Sequence, residues 1–339
     1  MPPTAEMRDP LRHHGDVEAG EGLVDLAVNV YDEPRPSWLD DALRASLDHV
    51  GAYPSATGAE QSLAARHRCA PAEVLATAGA AEAFGLLARL RSWQHPVVVH
   101  PQFTEPDVAL TEAGHPPDHV LLDAADDFAL DPSRVPVGAD LVVVGNPTNP
   151  TGVLHPAATL RALLRPDRLV VVDEAFIDFV PDEEESLAGE NVQPGLVIVR
   201  SLTKLWSIPG VRAGYLLAPP DVVRDLRAGQ APWSVSTTAG AAMRATATTQ
   251  AREEQERRAR RTQAARTVLV DGLAARGIST VPSHAPFVLA RVGVGVHARL
   301  RAAGWAVRRA DTFPGLGPDW VRISVRAPDV TRRLLDALG

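Results

Sequence analysis

Short apolar runs recur along the middle of the chain and alternate with stretches of helical spacing. The runs consist mostly of Val and Leu without alternating polar residues, which is typical of strands buried on both faces of a mostly parallel sheet. Helical spacing is found at Gly79–Leu90 and His155–Leu164. The predicted strands are Val97–His100, Leu141–Gly145, Leu169–Glu174, Leu196–Ser201 and Gly214–Ala218. This alternation predicts an α/β fold.

The last third of the chain predicts a second, smaller unit. Residues 240–276 are rich in Ala, Arg, Glu and Gln and contain no Pro, which predicts one long helical region with a charged, solvated face. Short strands and a final helix are predicted at Phe287–Val292, Trp305–Arg308, Val321–Val325 and Asp329–Leu338. We predict an N-terminal arm with part of the small domain at 1–45, a large domain at 46–240 and a small α+β domain at 241–339.

Composition narrows the class of protein. The 339 residues carry 34 basic and 42 acidic side chains, and the net charge of −8 argues against nucleic acid or an anionic membrane as a partner. No apolar run approaches the roughly 18 residues that a membrane span needs. The first residues also lack a signal-peptide core. The single cysteine, Cys69, excludes an internal disulfide and a zinc site built from cysteines, so we expect a cytoplasmic protein.

Lysine usage singles out one position. Lys204 is the only lysine, and the other 33 basic residues are Arg. A genome that favours Arg codons explains the loss of surface lysines, because Arg replaces them at little cost. Arg cannot serve where a deprotonatable amine is needed, since the guanidinium stays charged at pH 7. We therefore expect Lys204 to carry chemistry that only lysine provides.

Polar groups follow several of the predicted strands, at the sheet edge where α/β proteins bind ligands. Asn149 lies in a Pro-rich turn, Asp173 lies at the end of an apolar strand, and Lys204 follows Ser201 and Thr203. Each has a plain structural explanation when taken alone, namely an Asn-Pro turn, a helix N-cap and a solvated ammonium. Their occurrence at one edge of a sheet favours a shared ligand.

Further segments complete a candidate ligand site. Thr77–Glu82 opens a helix with small residues, whose free N–H groups can hold a phosphate. Phe103 follows a strand and can stack on a flat ring, and Arg212 adds a cation. A phosphate cradle, an aromatic platform, a carboxylate for a ring nitrogen and an amine for an aldehyde together indicate pyridoxal 5′-phosphate (PLP) as the cofactor.

Six motifs in order make the chain resemble the class I/II aminotransferases of fold type I, in the histidinol-phosphate aminotransferase group. They are GAAE, PxFxE, NPTNPTG, VVDEAF, SLTK and GVRAGY, followed by a late Arg in VRISVR. The resemblance implies a large PLP-binding domain with a mostly parallel sheet between helices, and a smaller α+β domain. It also implies a homodimer, in which Tyr53 reaches the site of the second subunit.

The resemblance assigns roles by motif. It implies that Lys204 forms the Schiff base with the cofactor, that Asp173 pairs with the pyridine nitrogen and that Phe103 stacks on the ring. Asn149 is expected to bind the 3′-oxygen alone, because Phe176 stands where many relatives carry a Tyr. The residues expected to hold the phosphate are Ala80, Ala81, Ser201, Thr203 and Arg212.

At the substrate end, the sequence resembles the cobalamin-pathway branch of this group, the L-threonine-O-3-phosphate decarboxylases. The motif His13-His14-Gly15-Asp16 is similar to their N-terminal segment, although a disordered arm is the alternative. Arg322 is expected to bind the substrate carboxylate. The branch implies that the other substrate contacts are His14, Asn29 and Arg326.

Two reactions remain open for the predicted enzyme. The leading hypothesis is decarboxylation of L-threonine O-3-phosphate, and the alternative is transamination of histidinol phosphate or a similar amine with 2-oxoglutarate. A nicotinamide dehydrogenase is disfavoured, because Gly293-Val-Gly295 lacks a third Gly at the required spacing. A PLP-dependent transcription regulator is also disfavoured, since the motifs begin too early to leave room for a basic DNA-binding module.

Overall fold

The structure, a computed structural model, describes residues 9–189 and 192–339. The helices are α1 Ser37–Ser46, α2 Thr57–His67, α3 Ala80–Ala88, α4 Glu105–Glu112, α5 Ala157–Arg161, α6 Pro220–Gly229, α7 Thr237–Thr246, α8 Thr249–Ala274, α9 Val296–Ala302 and α10 Pro328–Leu338. The strands are β1 Val24–Leu26, β2 Val74–Thr77, β3 Pro96–His100, β4 Asp118–Leu121, β5 Leu141–Gly145, β6 Leu169–Asp173, β7 Leu196–Ser201, β8 Gly214–Leu217, β9 Ser279–Thr280, β10 Phe287–Arg291, β11 Trp305–Arg309 and β12 Trp320–Ser324.

The larger of two sheets has the strand order β2-β8-β7-β6-β5-β3-β4. Strand β8 is antiparallel to both neighbours, and the other pairs are parallel. Val142 and Val144 of β5 pack in one apolar core, and Leu141 and Val143 pack in another. The strand is therefore buried on both faces, and the predicted mostly parallel sheet between helices is confirmed.

The smaller sheet has the order β1-β11-β12-β10-β9 and is mainly antiparallel. One of its two edge strands, β1, comes from the N-terminal part of the chain and pairs in parallel with β11. Helices α8, α9 and α10 contribute to the apolar core on this sheet. The three predicted strands and the final helix of this unit are present, with bounds shifted by a residue or less at each end.

The long helix predicted at 240–276 is two helices, so that prediction is wrong. Helix α7 ends at Thr246 and α8 begins at Thr249. The Thr248 hydroxyl accepts a hydrogen bond from the backbone N–H of Ala251 at 3.2 Å, which caps α8. The charged face is only partly solvated, because Arg258 and Arg266 are buried and donate to backbone carbonyls. Within the described ranges, no helix has the length and apolar character needed to cross a membrane.

The predicted N-terminal arm begins at residues 1–8, which lie outside the described residues. From Pro10 to Val17 it forms two 3-10 turns. The carbonyl of Leu11 accepts a hydrogen bond from Thr104 Oγ1, and the carbonyl of His13 accepts one from the Arg308 guanidinium. The arm therefore lies between the large sheet unit and the small one.

Candidate active site

One cavity of about 570 Å³ brings together nearly all of the predicted site residues. It lies beyond the carboxyl ends of β6 and β7, the edge at which open α/β sheets bind ligands. Its walls come from the large unit, the small unit and the arm. The predicted residues that line it are His14, Asn29, Ala80, Ala81, Phe103, Asn149, Asp173, Ser201, Thr203, Lys204, Arg212 and Arg322.

Small residues form a cradle at the start of α3. Gly79 precedes the helix with φ +83°, a conformation that glycine adopts without strain. A Cβ on Gly79 would lie 2.6 Å from the Arg212 guanidinium, and a Cβ on Gly214 would lie 2.7 Å from the Gly79 carbonyl carbon. The hydroxyls of Ser201 and Thr203 are 2.8 Å apart and line the same cavity. Helix N–H groups, hydroxyls and a guanidinium are donors that suit a phosphate.

The pKa of Asp173 is raised and the pKa of Lys204 is lowered. Burial raises the pKa of the Asp173 carboxyl to about 6, although the N–H of Ala175 stabilises its charged form. Burial lowers the pKa of the Lys204 amine to about 8, and the charges of Arg322 and Arg212 lower it further. A buried carboxylate that needs a cationic partner and an amine that loses its proton near neutral pH are suited to a pyridine nitrogen and an aldehyde.

Arg322 reaches the cavity from β12 and is bound only by neutral groups among the described residues. Its guanidinium donates to Asn149 Oδ1 and to the carbonyl of Ala27. With the Asn29 amide nitrogen donating to Ser324 Oγ at 2.6 Å, the Asn29 oxygen accepts from Arg322 at 3.0 Å. Because Arg322 occupies the oxygen of Asn149, the amide nitrogen of Asn149 is the group that can donate to a ring oxygen.

Arg308 is a cavity residue that the sequence did not reveal as functional. It is 2% exposed and lies directly opposite Arg322 on the neighbouring strand β11. Its guanidinium donates to Thr312 Oγ1 at 2.6 Å and to the carbonyls of His13 and Arg309. The sequence did contain one indication of a functional role, because Arg308 is a charged side chain in a predicted strand that is otherwise apolar. Burying such a charge is costly unless it meets a partner or a ligand.

The arm forms part of the cavity wall and places His14 there. His14 Nε2 lies 2.7 Å from Glu105 Oε1, and the imidazole ring packs 5.6 Å from the ring of Phe103. The hydrogen bond from His14 holds the pKa of Glu105 below its usual value. Glu105, the first residue of α4, is a second cavity residue for which we predicted no role.

Two predicted site residues lie away from the cavity. Arg326 donates to the carbonyls of Asp25, Val28 and Val30, so it holds the segment before α1 and does not reach the substrate space. The structure therefore gives no support to its predicted contact with substrate. Tyr53 is 78% exposed and stacks on Trp233 at 4.3 Å, so within its own chain it does not contact the site.

The residues present fit PLP. The small-residue cradle admits a phosphate, Asp173 offers a carboxylate to a ring nitrogen, and Lys204 offers an amine to an aldehyde. Together with the sheet topology, these features define a PLP-dependent enzyme of fold type I. The chain belongs to the aminotransferase class I and II family, which matches residues 21–338.

Individual relatives agree with this family. The chain is 43% identical over 320 residues to a protein of Mycobacterium tuberculosis named histidinol-phosphate aminotransferase, covering 93% of this chain and 87% of that one. It is 29% identical over 332 residues to the threonine-phosphate decarboxylase of Salmonella typhimurium, covering 93% and 90%. The structure resembles that of an aspartate aminotransferase from Thermus thermophilus, with a TM-score of 0.84 at 25% identity, covering 93% and 90%.

Proposed function

We propose that the protein is an aminotransferase that transfers the amino group of a phosphorylated amine of the histidinol phosphate type to 2-oxoglutarate. The relative at 43% identity carries that name, and it favours this reaction over the decarboxylation that the motifs alone favoured. The cofactor assignment does not depend on this choice, because both reactions use PLP.

The structural observation that supports an anionic substrate is the pair of arginines in the cavity. Arg308 and Arg322 lie opposite each other on adjacent strands, and neither pairs with a carboxylate among the described residues. Like charges placed directly opposite each other destabilise a sheet. A ligand with two anionic groups, such as 2-oxoglutarate, or with one dianionic phosphate would remove this repulsion.

The chain's own residues divide the work of the reaction. When bound, PLP supplies an electron sink for the bond that breaks at the substrate Cα. Arg322 orients a carboxylate of 2-oxoglutarate, and Asp173 holds a proton at the ring nitrogen. The Lys204 amine accepts the proton from Cα and returns it, which its lowered pKa permits near neutral pH.

Decarboxylation of L-threonine O-3-phosphate is the second candidate. It is favoured by the similarity to the threonine-phosphate decarboxylase across nearly the whole chain, and by the arm residues His13 to Asp16 in the cavity wall. That substrate carries a carboxylate and a phosphate, so the same two arginines would accommodate it. The two reactions differ in which bond at Cα breaks.

Product analysis separates the two candidates. We expect purified protein loaded with PLP to form glutamate when given histidinol phosphate and 2-oxoglutarate. Release of CO₂ from L-threonine O-3-phosphate, without glutamate formation from the first pair, would instead support the second candidate. If neither product forms, both substrate assignments are wrong. Lys204→Ala protein serves as the inactive control.

We also propose that the enzyme is a homodimer in which Tyr53 completes the site of the second subunit. Tyr53 is exposed and stacks on the exposed ring of Trp233, and the side chains of Leu47 and Val50, a few residues earlier in the chain, are exposed as well. Such exposed apolar side chains support a contact with a second subunit. Tyr53→Phe and Lys204→Ala proteins, each impaired alone, should regain activity when they are dissociated and reassociated together. Mixed dimers then contain one site with both native residues, and no recovery would contradict the proposal.

A further inference from the structure

A group of charged side chains lies behind the strands whose ends carry Asp173 and Ser201. We call it the back-face cluster: Arg66, Glu174, Asp178, Glu183 and Arg200. Arg200 is 1% exposed, and its guanidinium contacts Glu174 at 3.0 Å, Asp178 at 2.6 Å and Glu183 at 3.0 Å. One buried arginine on β7 therefore binds three acids from the segment that follows Asp173.

The cluster and the cavity are connected through two strand ends. Successive side chains of a strand point to opposite faces of the sheet. Asp173 and Ser201 line the cavity, so their neighbours Glu174 and Arg200 point to the opposite face. The N–H of Glu174 also donates to the carbonyl of Val199 at 2.8 Å, which brings the ends of β6 and β7 together.

Three hydrogen bonds hold the buried carboxylate of Glu174. Its carboxylate oxygens accept from the N–H of Leu187 at 2.7 Å, from Ser186 Oγ at 2.7 Å and from Arg200 at 3.0 Å. It is 1% exposed. Because Glu174 is adjacent to Asp173 in the chain, these bonds restrain the backbone that carries Asp173.

We propose that Glu174 and Arg200 are positioning residues for the active site, whose ion pair on the back face holds Asp173 in place relative to Ser201 and Lys204. This inference rests on the proposed role of Asp173 at the ring nitrogen. Neither residue touches the cavity, so neither is a catalytic residue. Displacing a reacting group by about 1 Å can cost about a hundredfold in rate, so a rigid support behind Asp173 matters for turnover.

The charge of Glu174 cannot account for a supporting role. Its carboxylate raises the pKa of Asp173, after the larger effect of burial, so Glu174→Gln would favour the ionised form of Asp173. Arg200 stabilises the charged form of Glu174. A loss of kcat in Glu174→Gln would therefore reflect the position of Asp173 and not its charge.

The test compares two conservative variants with different expected outcomes. Glu174→Gln keeps the shape and the bond from Leu187 N–H but places an amide nitrogen against the Arg200 donors. Asp178→Asn is the matched control, because it also replaces a buried acid that binds Arg200, but Asp178 lies in the 3-10 turn Ile177–Phe179 and is not adjacent to Asp173. We expect Glu174→Gln to lower kcat at the optimal pH by about tenfold or more with little change in KM, and Asp178→Asn to change kcat by less than about twofold.

Two further measurements separate positioning from general stability. The melting temperatures of both cofactor-free variants should fall by similar amounts, whereas the absorption band of bound PLP should shift only in Glu174→Gln. A loss of kcat that is equal in the two variants would overturn the proposal. If Glu174→Gln does not fold, Ser186→Ala decides, because it removes one bond to Glu174 without changing charge. Reduced kcat in Ser186→Ala supports the proposal, and unchanged kcat overturns it.

Asp173→Ala, measured in the same experiment, separates the proposed role of Asp173 from the proposed role of Glu174 and Arg200. If Asp173→Ala keeps full turnover, the proposed role of Asp173 fails and the positioning proposal fails with it. If Asp173→Ala loses turnover while Glu174→Gln behaves like Asp178→Asn, only the positioning proposal fails.

Discussion

The arginines that lie on the two sides of the β6–β7 edge have opposite environments. On the back face, burial would lower the pKa of Arg200, but Glu183, Asp178 and Glu174 raise it well above the usual value. On the cavity side, burial lowers the pKa of Arg308 to about 10 and that of Arg322 well below the usual value, because neutral oxygens are their hydrogen-bond partners.

The difference indicates which charges serve the fold and which serve a ligand. A buried cation without a counterion is costly to the folded state. The chain removes that cost behind the sheet by placing acids beside Arg200. It retains the cost in the cavity at Arg308 and Arg322, and a bound anion would offset it there. The following experiments test this contrast, beginning with the largest expected effect.

Removing the cavity amine should have the largest effect of all. Lys204→Ala is expected to abolish the visible absorption band of bound PLP and to lower turnover by about 10⁴-fold or more, since it removes both the point of attachment and the general base. The chain has no other lysine to substitute for it. Borohydride reduction and peptide mapping of the native holoenzyme should find the modification at residue 204. An unmodified peptide there would refute the assignment.

Asp173→Ala should retain bound cofactor but lose most turnover. Loss of the carboxylate leaves the ring nitrogen without its ionic partner, and we expect kcat to fall by about 10³-fold, within the range known for removal of one electrostatic stabiliser. Cofactor content measured on the same sample is the control. Full activity with a full complement of PLP would show that the carboxylate has no part in the reaction.

Arg308→Gln and Arg326→Gln separate a ligand-binding arginine from a structural one. Loss of a charge-assisted hydrogen bond of about 1.5–3 kcal/mol predicts a KM about 10- to 150-fold higher for a phosphorylated substrate in Arg308→Gln. Arg326 donates only to backbone carbonyls among the described residues, so its variant should lower the melting temperature and leave KM unchanged. Equal KM values in the two variants would contradict the contrast.

The sequence reached most of this site because its chemistry lies at the ends of long apolar strands. Asp173 ends one apolar run and Lys204 follows another. These runs predict both the strands of the sheet and the edge at which the strands end. Arg308 was missed although its strand was predicted, because only the pairing of β11 with β12 places it opposite Arg322. Arg326 was assigned by resemblance alone, and it lies after the end of β12, where strand alternation does not indicate the direction of a side chain.

The pattern of apolar and polar residues did not predict the strand near the N-terminal end. Strand β1 has only three residues, Val24–Leu26, which is too short for a recognisable alternation. Its pairing with β11 is a contact between distant parts of the chain. Asn29, in contrast, was anticipated through the family resemblance, and the structure places it against Arg322.

The smallest expected effect is the influence of the cavity arginines on the pKa of Lys204, which the pH dependence of cofactor uptake measures. Lys204 reacts with an aldehyde only when its amine is neutral, and its pKa is lowered to about 8 by burial and by Arg322 and Arg212. The neutral fraction rises with pH, so the rate of PLP uptake by the cofactor-free protein should rise about tenfold per pH unit below 8 and level off above it. Arg322→Gln removes one of the lowering charges and should move this midpoint to higher pH, whereas Arg326→Gln should leave it in place. A midpoint near the usual lysine value of 10.5 in the native protein would show that the cavity cations do not act on Lys204.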